Sequence, residues 1–289
     1  GTEHALSPDG ARPMVNSAMW AEATAISRIA ARKGDVALAK RFAAKADALE
    51  RRIKESLWHE GKRFFTAADT NGVHSSVCEL HGYAPFYFAM PLGREYAAAW
   101  EPLMSDKGFF APVGLTFPTR DTPGFTVDPD FKKHECLWNG PSWPYATSIA
   151  LSAFSRELQS AGADMPLKAS DFAKLLKQYA AQHYLVRKDG VKVPWIDENQ
   201  NPFDGDWIAR TKLIRDGDKI VDRGKDYNHS TFCDLVISGI VGVTPTENGF
   251  ELHPNIPEGW DYFRLENLYF RGKRYTVTYD RDGTRYNEG

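Results

Sequence analysis

The first half of the chain alternates apolar and polar residues with the period of an amphipathic helix. Residues 16–31 place Met19 and Ile26 on one face, and residues 35–58 form a second segment with one apolar stripe. Gly34 lies between the two segments and is typical of a helix end. This pattern predicts a helical hairpin with a very short connection.

Further helical patterns follow, and long loops rich in Gly, Pro, Asp or Asn separate them. The additional helices are predicted at residues 81–90, 94–104, 141–158, 167–184 and 230–241. The two longest predicted loops cover residues 108–130 and 193–226. Long ordered loops in compact domains are more often functional than not. Recurring helix–loop–helix pairs with such loops on one side predict an α/α toroid, with its site at the loop ends.

The pattern changes after Gly242. Short β-rich stretches separated by turns predict a small antiparallel unit from about Gly249 onwards. The expected fold class is therefore mainly α. We expect an α/α toroid catalytic domain over residues 1–245 and a C-terminal β-strand appendage over residues 246–289.

Charge and cysteine content exclude several classes of protein. The 289 residues carry a net charge of −2 and no block of basic residues, so no nucleic-acid partner is expected. No apolar run is long enough to cross a bilayer, so no membrane partner is expected either. Three cysteines, Cys78, Cys136 and Cys233, lie far apart without metal-ligand spacing. We interpret them as small buried thiols.

The strongest candidate for chemistry is the polar loop from Trp195 to Asp206. It places the neighbouring carboxylates of Asp197 and Glu198 between a Trp and several amides, including that of Asn199. Inverting glycoside hydrolysis needs one carboxylic acid to protonate the leaving oxygen and one carboxylate to activate water, roughly 6.5–9.5 Å apart. The alternative is a solvated turn that caps a helix, because Asn, Asp and Gly favour such turns for local reasons.

Two further segments place sugar-binding side chains at predicted helix starts. Trp138 and Trp143 are suited to a sugar platform, with the Asn139 amide beside them, although both rings also suit core packing. Tyr227 and His229 precede the helix at residues 230–241, where a histidine can bond a sugar or serve a structural role.

The N-terminal segment offers a second carboxylate, that of Glu3, close to the point where the chain enters its first helix. Arg12 stands just before that helix and is suited to holding a hydroxyl group or a carboxylate. The alternative for this segment is a frayed terminus without a role in chemistry.

Together these motifs resemble the glycosidases that include processing α-glucosidase I and mannosylglycerate hydrolase-like enzymes. Residues 198–206 are similar to the E-N-Y-N-P-x-T-G-E motif of that group, residues 138–143 to its W-R-G-P-x-W motif, and residues 1–3 to its S-G-x-D motif. Other segments also resemble a bacterial branch of this group of six-hairpin glycosidases. The resemblance implies an α/α toroid, an inverting mechanism and, as is common in the group, an additional upstream β domain of the same protein. The pattern predicts fewer helices than a full six-hairpin toroid contains, so we expect the toroid to be incomplete at the N-terminus.

The resemblance also implies a role for individual residues. Glu198 corresponds to the general base and Glu3 to the general acid. The side chains expected to contact the sugar or the catalytic carboxylates are Arg12, Trp138, Asn139, Trp143, Trp195, Asn199, Tyr227 and His229. Gln200, Asn139 and Glu3 replace the Tyr, Arg and Asp of the group's motifs, which leaves the identity of the sugar open.

The expected partner is thus a carbohydrate substrate, and no redox cofactor is implied. A calcium ion in the loop that holds Asp204 and Asp206 is a further option. A periplasmic or secreted location is favoured over a cytoplasmic one. Two other functions stay open at this point. One is a polysaccharide lyase in which Tyr227 and His229 abstract a proton and Asn139 polarises a uronate, and the other is a non-catalytic carbohydrate-binding fragment.

Overall fold

The computed structural model describes residues 3–130, 134–161, 165–226 and 231–286. It begins with the predicted hairpin, formed by helices α1 (Pro13–Arg32) and α2 (Val36–Leu57), which pack against each other. Pro13 suits the first turn of α1, where its missing N–H has no partner to lose. The Asp35 carboxylate accepts a hydrogen bond from the Leu38 N–H at 2.9 Å and so caps α2.

The remaining helices are shorter and less regular than the hairpin. They are a 3₁₀ turn (Leu80–Tyr83) that continues into α3 (Ala84–Tyr87), a 3₁₀ helix (Arg94–Met104), α4 (Pro144–Ala161), α5 (Ala169–Ala181), α6 (Ile208–Arg215), and α7 (Phe232–Asp234), which continues as a π-helical turn (Leu235–Ile240). Helix α4 contacts α3 and α5, and it also contacts the 3₁₀ turn before α3 and the π-helical turn after α7. None of the helices in the described ranges is long and apolar enough to cross a bilayer.

The strands in the described ranges form two-stranded antiparallel sheets. The pairs are β1 (Gly10–Ala11) with β4 (Ala68–Asp69), β2 (Trp58–His59) with β3 (Phe64–Phe65), β5 (Tyr184–Val186) with β6 (Lys192–Pro194), β7 (Val243–Pro245) with β8 (Phe250–Leu252), and β9 (Tyr262–Phe270) with β10 (Lys273–Asp280). The last two pairs form the C-terminal antiparallel strands that the sequence predicts. The division of the chain at residues 245 and 246 itself stays a prediction.

Aromatic side chains fill the core beside α4. Trp100 is fully buried and stacks on Tyr83, with ring centroids 4.4 Å apart, and on Phe154, at 5.3 Å. The Tyr83 hydroxyl donates to the Ala99 carbonyl at 3.0 Å, so its polar end is satisfied inside the core. The rigid stack holds the short helices against α4, and these in turn support the loops between them.

The sequence prediction is wrong about the loop over residues 193–226, because that segment contains helix α6. The start of α6 is held from a distance: the side-chain oxygen of Asn199 accepts a hydrogen bond from the Ala209 N–H at 3.0 Å. The residue directly before α6 is Trp207, whose side chain cannot cap a helix. The capping position itself therefore carries no signal for this helix.

We expect Gly82→Ala to destabilise the core by about 1–3 kcal/mol, the usual cost of overpacking. A methyl group on Gly82 would overlap the Phe64 ring and the Phe65 carbonyl, and both neighbours are fully buried. Urea unfolding gives the free energy of unfolding. The matched control is Gly249→Ala, since no atom lies within 4 Å of the added methyl. Equal unfolding free energies for the two variants would contradict this close packing around Gly82.

Candidate active site

The loop over residues 134–143 contacts both segments that carry the predicted catalytic carboxylates. On one side, the Trp138 N–H donates to the Glu3 carbonyl at 3.1 Å. The indole N–H of Trp138 also donates to Oε2 of Glu3 at 3.2 Å. Two hydrogen bonds from one residue therefore fix the position of Glu3 and the direction of its exposed carboxylate.

On the other side, the same loop is joined to the polar loop that contains Glu198. The Asn199 amide donates to the Glu135 carbonyl at 3.0 Å, and the Arg223 guanidinium pairs with the Glu135 carboxylate. Ser142 and Gln200 exchange two backbone hydrogen bonds of 2.8 and 2.9 Å. These contacts join both ends of the loop over residues 134–143 to Asn199, Gln200 and Arg223.

Glu198 meets this loop through its side chain. The Cys136 thiol donates a hydrogen bond to Oε2 of Glu198, and both residues are half-buried. Cys136 and Trp138 lie two residues apart, so Glu198 and Glu3 contact opposite ends of one tripeptide. The fold thus brings together two carboxylates that are far apart in the sequence.

The two tryptophans of this loop stack on each other. Their ring centroids lie 3.7 Å apart with an interplanar angle of 9°. The exposed fractions are only 7% for Trp138 and 3% for Trp143. Trp143 donates its indole N–H to the Leu137 carbonyl at 2.8 Å. Trp143 therefore offers almost no ring surface to a sugar, and its ring packs against that of Trp138.

Trp195 is the most accessible of the three predicted sugar-contacting tryptophans. The guanidinium of Arg210 and the ammonium of Lys225 lie 5.3 and 5.2 Å from its ring. Such cations are attracted by the negative face of an aromatic ring. Trp195 also donates to Oδ2 of Asp197 at 3.3 Å, which ties the ring to the loop that carries Glu198.

The two predicted sugar-binding asparagines are both completely buried. Asn199 uses both ends of its amide within the protein, in its contacts to Glu135 and Ala209. It therefore builds the loop. Neither amide atom of Asn139 has a hydrogen-bond partner within the described part of the chain. Buried amides without a partner are costly, so Asn139 stands out among the polar groups of this region.

Arg12 lies in a partly buried ion pair that the sequence does not predict. Its guanidinium is 3.4 Å from Oε2 of Glu79, and the Ser7 N–H donates to the other carboxylate oxygen at 3.2 Å. Burial raises the pKa of Glu79, whereas the bonds to Ser7 and the charge of Arg12 lower it. The pair ties the N-terminal segment, and with it Glu3, to the start of the 3₁₀ turn at Leu80. A lone acid within the apolar run from Val77 to Leu80 was its only sequence signal.

His81 lies beneath Trp138, with ring centroids 5.7 Å apart. Burial, together with the smaller effect of the nearby Arg12 charge, lowers the pKa of His81 to about 4. The imidazole is therefore neutral at physiological pH and acts as a packing group under the tryptophan. The sequence does not mark His81 as a site residue, because a lone histidine gives no local signal of its burial.

Asp197 is the buried partner of Glu198 in the carboxylate pair. It is only 1% exposed and accepts the Glu198 N–H at 2.8 Å. Burial raises its pKa, and the hydrogen bonds from the Glu198 N–H and the Trp195 indole oppose that rise. A Cβ on Gly224 would overlap Oδ1 of Asp197, so this position requires glycine. Asp197 thus orients the backbone of Glu198 and is closed off from a substrate.

The predicted calcium ligands Asp204 and Asp206 accept hydrogen bonds from donors within residues 201–211. Asp204 accepts the Asp206 N–H and the Asn201 amide, each at 2.9 Å, and Asp206 accepts the Thr211 hydroxyl at 2.7 Å. Among residues with described positions, no group of three or more His, Cys, Asp or Glu side chains is arranged to hold a metal ion. The calcium option stays a prediction. Tyr227 and His229 lie outside the described residues.

The cysteine prediction is correct for one residue only. Cys78 is buried, as expected, and burial raises its pKa to about 11. Cys136 is half-buried beside Glu198, and Cys233 is exposed. The wide spacing of the three residues in the sequence does not distinguish these environments. Cys136 is therefore a site residue that the sequence does not predict.

We expect the free energy of unfolding of Asp197→Asn to rise relative to that of the native chain as the pH increases from 4 to 7. The folded-state pKa of Asp197 lies above its ordinary value of 3.8, so the native fold is favoured while Asp197 is protonated and loses that contribution as the pH rises through the folded-state pKa. Asparagine resembles the protonated acid and does not titrate. Urea unfolding at both pH values measures the difference. A difference that does not change with pH would contradict the raised pKa.

Comparison with solved structures identifies similar chains. One, described as a sialidase, is 32% identical, with a TM-score of 0.82 over 96% of this chain and 24% of that chain. The GH63 mannosylglycerate hydrolase from Thermus thermophilus in complex with glucose is 17% identical (TM-score 0.47, covering 67% of this chain and 42% of that one). Neutral trehalase from Saccharomyces cerevisiae is 14% identical (TM-score 0.49, 78% and 39%). Our chain thus spans about a quarter of the length of the sialidase chain.

Two family profiles match the sequence. Residues 244–289 match the C-terminal domain of glycosyl hydrolase family 65. Residues 2–230 match the mannosylglycerate hydrolase MGH1-like glycoside hydrolase domain, which is most of the chain. This match confirms the resemblance that the motifs predict, and the helices of the described residues confirm the mainly α fold class. The chain belongs to the MGH1-like family of glycoside hydrolase domains.

Proposed function

We propose that the protein hydrolyses a glycosidic bond with inversion, using Glu198 as the general base and Glu3 as the general acid. The observation behind this proposal is the contact of both carboxylates with one short segment, through the Cys136 thiol and the Trp138 indole. Membership of a glycoside hydrolase domain family favours hydrolysis over the lyase alternative. The reaction transfers no electrons, so it needs no redox cofactor.

In this mechanism, the two carboxyl groups act on opposite faces of the sugar. Glu198 takes a proton from a water molecule while the water oxygen attacks the anomeric carbon. Glu3 gives its proton to the glycosidic oxygen as the bond to the anomeric carbon breaks. The products are a free sugar of inverted configuration and an alcohol. Proton exchange with solvent then returns both carboxyl groups to their starting states.

The surroundings of each carboxylate suit these roles. Glu3 is exposed, and the Trp138 indole donates a hydrogen bond to one of its oxygens. In this mechanism the other oxygen carries the proton. Glu198 is half-buried, and Asp197 holds its backbone N–H. The half-buried ring of Trp195 supplies an aromatic surface for stacking on a sugar. Burial excludes Asp197 itself from contact with a substrate.

We expect Glu198→Gln and Glu3→Gln each to lower kcat by about 10²–10⁴, the contribution of a general acid or base. Glutamine keeps the shape of the side chain and cannot carry the proton. Mannosylglycerate, named in the family description, and an aryl sialoside, suggested by the sialidase, are the first substrates for steady-state kinetics.

The matched control is Glu22→Gln, because Glu22 is an exposed glutamate on helix α1. It should leave kcat and KM unchanged. If Glu198→Gln turns over a substrate as fast as the native protein does, Glu198 is not the base. If only Glu3→Gln remains fully active, the acid is a different residue and the base assignment stands.

We further expect the first sugar released to have the anomeric configuration opposite to that of the substrate. Water activated by Glu198 attacks from the face opposite the leaving group, so a single displacement inverts the centre. Proton NMR within the first minutes of the reaction distinguishes the two anomers before they equilibrate. Initial release of the retained anomer would show a double displacement and would exclude the proposed acid and base roles of Glu3 and Glu198.

A further inference from the structure

Cys136 lies at a fixed point between two charged segments. The neighbouring Glu135 is bound through its carbonyl to Asn199 and through its carboxylate to Arg223. On the other side of Cys136, Trp138 is bound to Glu3 through its backbone and its ring. The backbone around the cysteine therefore has little freedom to move, and its thiol meets Glu198 in a defined direction.

The thiol stays protonated in this position. Burial is the largest cause that raises the pKa of Cys136, followed by the hydrogen bond to Glu198 and the negative charge of that carboxylate. Glu135 and Glu3 add further negative charge nearby and raise the pKa as well. A protonated thiol next to a carboxylate can only be the donor of their shared hydrogen bond.

We propose that Cys136 is a positioning residue for Glu198, whose Oε2 it holds through a hydrogen bond so that Oε1 faces the attacking water. This inference rests on the proposed role of Glu198 as the base. An S–H group is a weak donor, so it orients the carboxylate and leaves most of the negative charge available to accept a proton. An ammonium at the same place would bind that charge more tightly.

The first test needs no substrate. We expect Glu198→Gln to raise the alkylation rate of Cys136 by iodoacetamide at pH 8 by about tenfold, because each unit of thiol pKa changes the thiolate fraction tenfold. Glutamine has the same shape as glutamate, so access for the reagent is unchanged. Mass spectrometry of the peptides measures each cysteine separately. Cys233 is exposed and serves as an internal control whose rate should not change. An unchanged rate at Cys136 would overturn the contact.

The second test separates positioning from packing. We expect Cys136→Ala to lower kcat on a hydrolysed glycoside by about tenfold, which corresponds to about 1.4 kcal/mol, with little change in KM. Cys136→Ser restores a donor at nearly the same place and should recover most of the lost rate. Cys233→Ser is the matched control and should behave as the native protein does. Thermal unfolding checks that all variants are folded.

The outcomes distinguish this inference from the proposed function. If Cys136→Ala keeps the native kcat on a substrate that Glu198→Gln no longer hydrolyses, Cys136 has no positioning role although Glu198 is the base. An equal loss in the Ala and Ser variants would assign Cys136 to packing. In a protein that hydrolyses none of the glycosides tested, the proposed function fails, while the alkylation rates still decide whether the thiol holds the carboxylate.

Discussion

The stacking of Trp138 on Trp143 is the contact on which the rest of the site depends. Two nearly parallel rings 3.7 Å apart bury a large apolar area in one place and leave only their N–H groups to be satisfied. Trp143 directs its N–H inward to the loop backbone, and Trp138 directs its N–H to Glu3. The buried stack holds the Trp138 ring in place, and the N–H of that ring orients the Glu3 carboxylate.

A partly buried ion pair joins the N-terminal segment to the core near this stack. Glu79 would be costly to bury alone, but Arg12 and the Ser7 N–H compensate its charge. The resulting pair joins the N-terminal segment to the core close to His81, whose neutral ring packs under Trp138. This ion pair joins distant parts of the chain and so supports the two Trp138 hydrogen bonds in keeping Glu3 beside a loop that follows much later in the sequence.

Residues of the polar loop around Glu198 have two roles: some are buried and hold the loop together, whereas Glu198 stays accessible. Asp197, Asn199 and Gln200 are almost fully buried, and each uses its side chain to hold backbone or a neighbouring amide. Glu198 remains half-buried, with its side chain facing Cys136. Within residues 197–200, Glu198 alone therefore presents an accessible carboxylate, because the polar groups of its three neighbours are needed to satisfy buried donors and acceptors.

The sequence by itself determined the long hairpin α1–α2, the helical class, the C-terminal strands and the family, because periodic burial and local motifs are properties of neighbouring residues. It also singled out Glu198 and Glu3. Only the tertiary structure decided that Arg12 pairs with Glu79, that Trp143 is covered by its neighbour, and that Cys136 meets Glu198. Helix α6 belongs to the same group, because its capping oxygen comes from Asn199. Each of these contacts joins residues whose spacing in the chain carries no information about their distance in the fold.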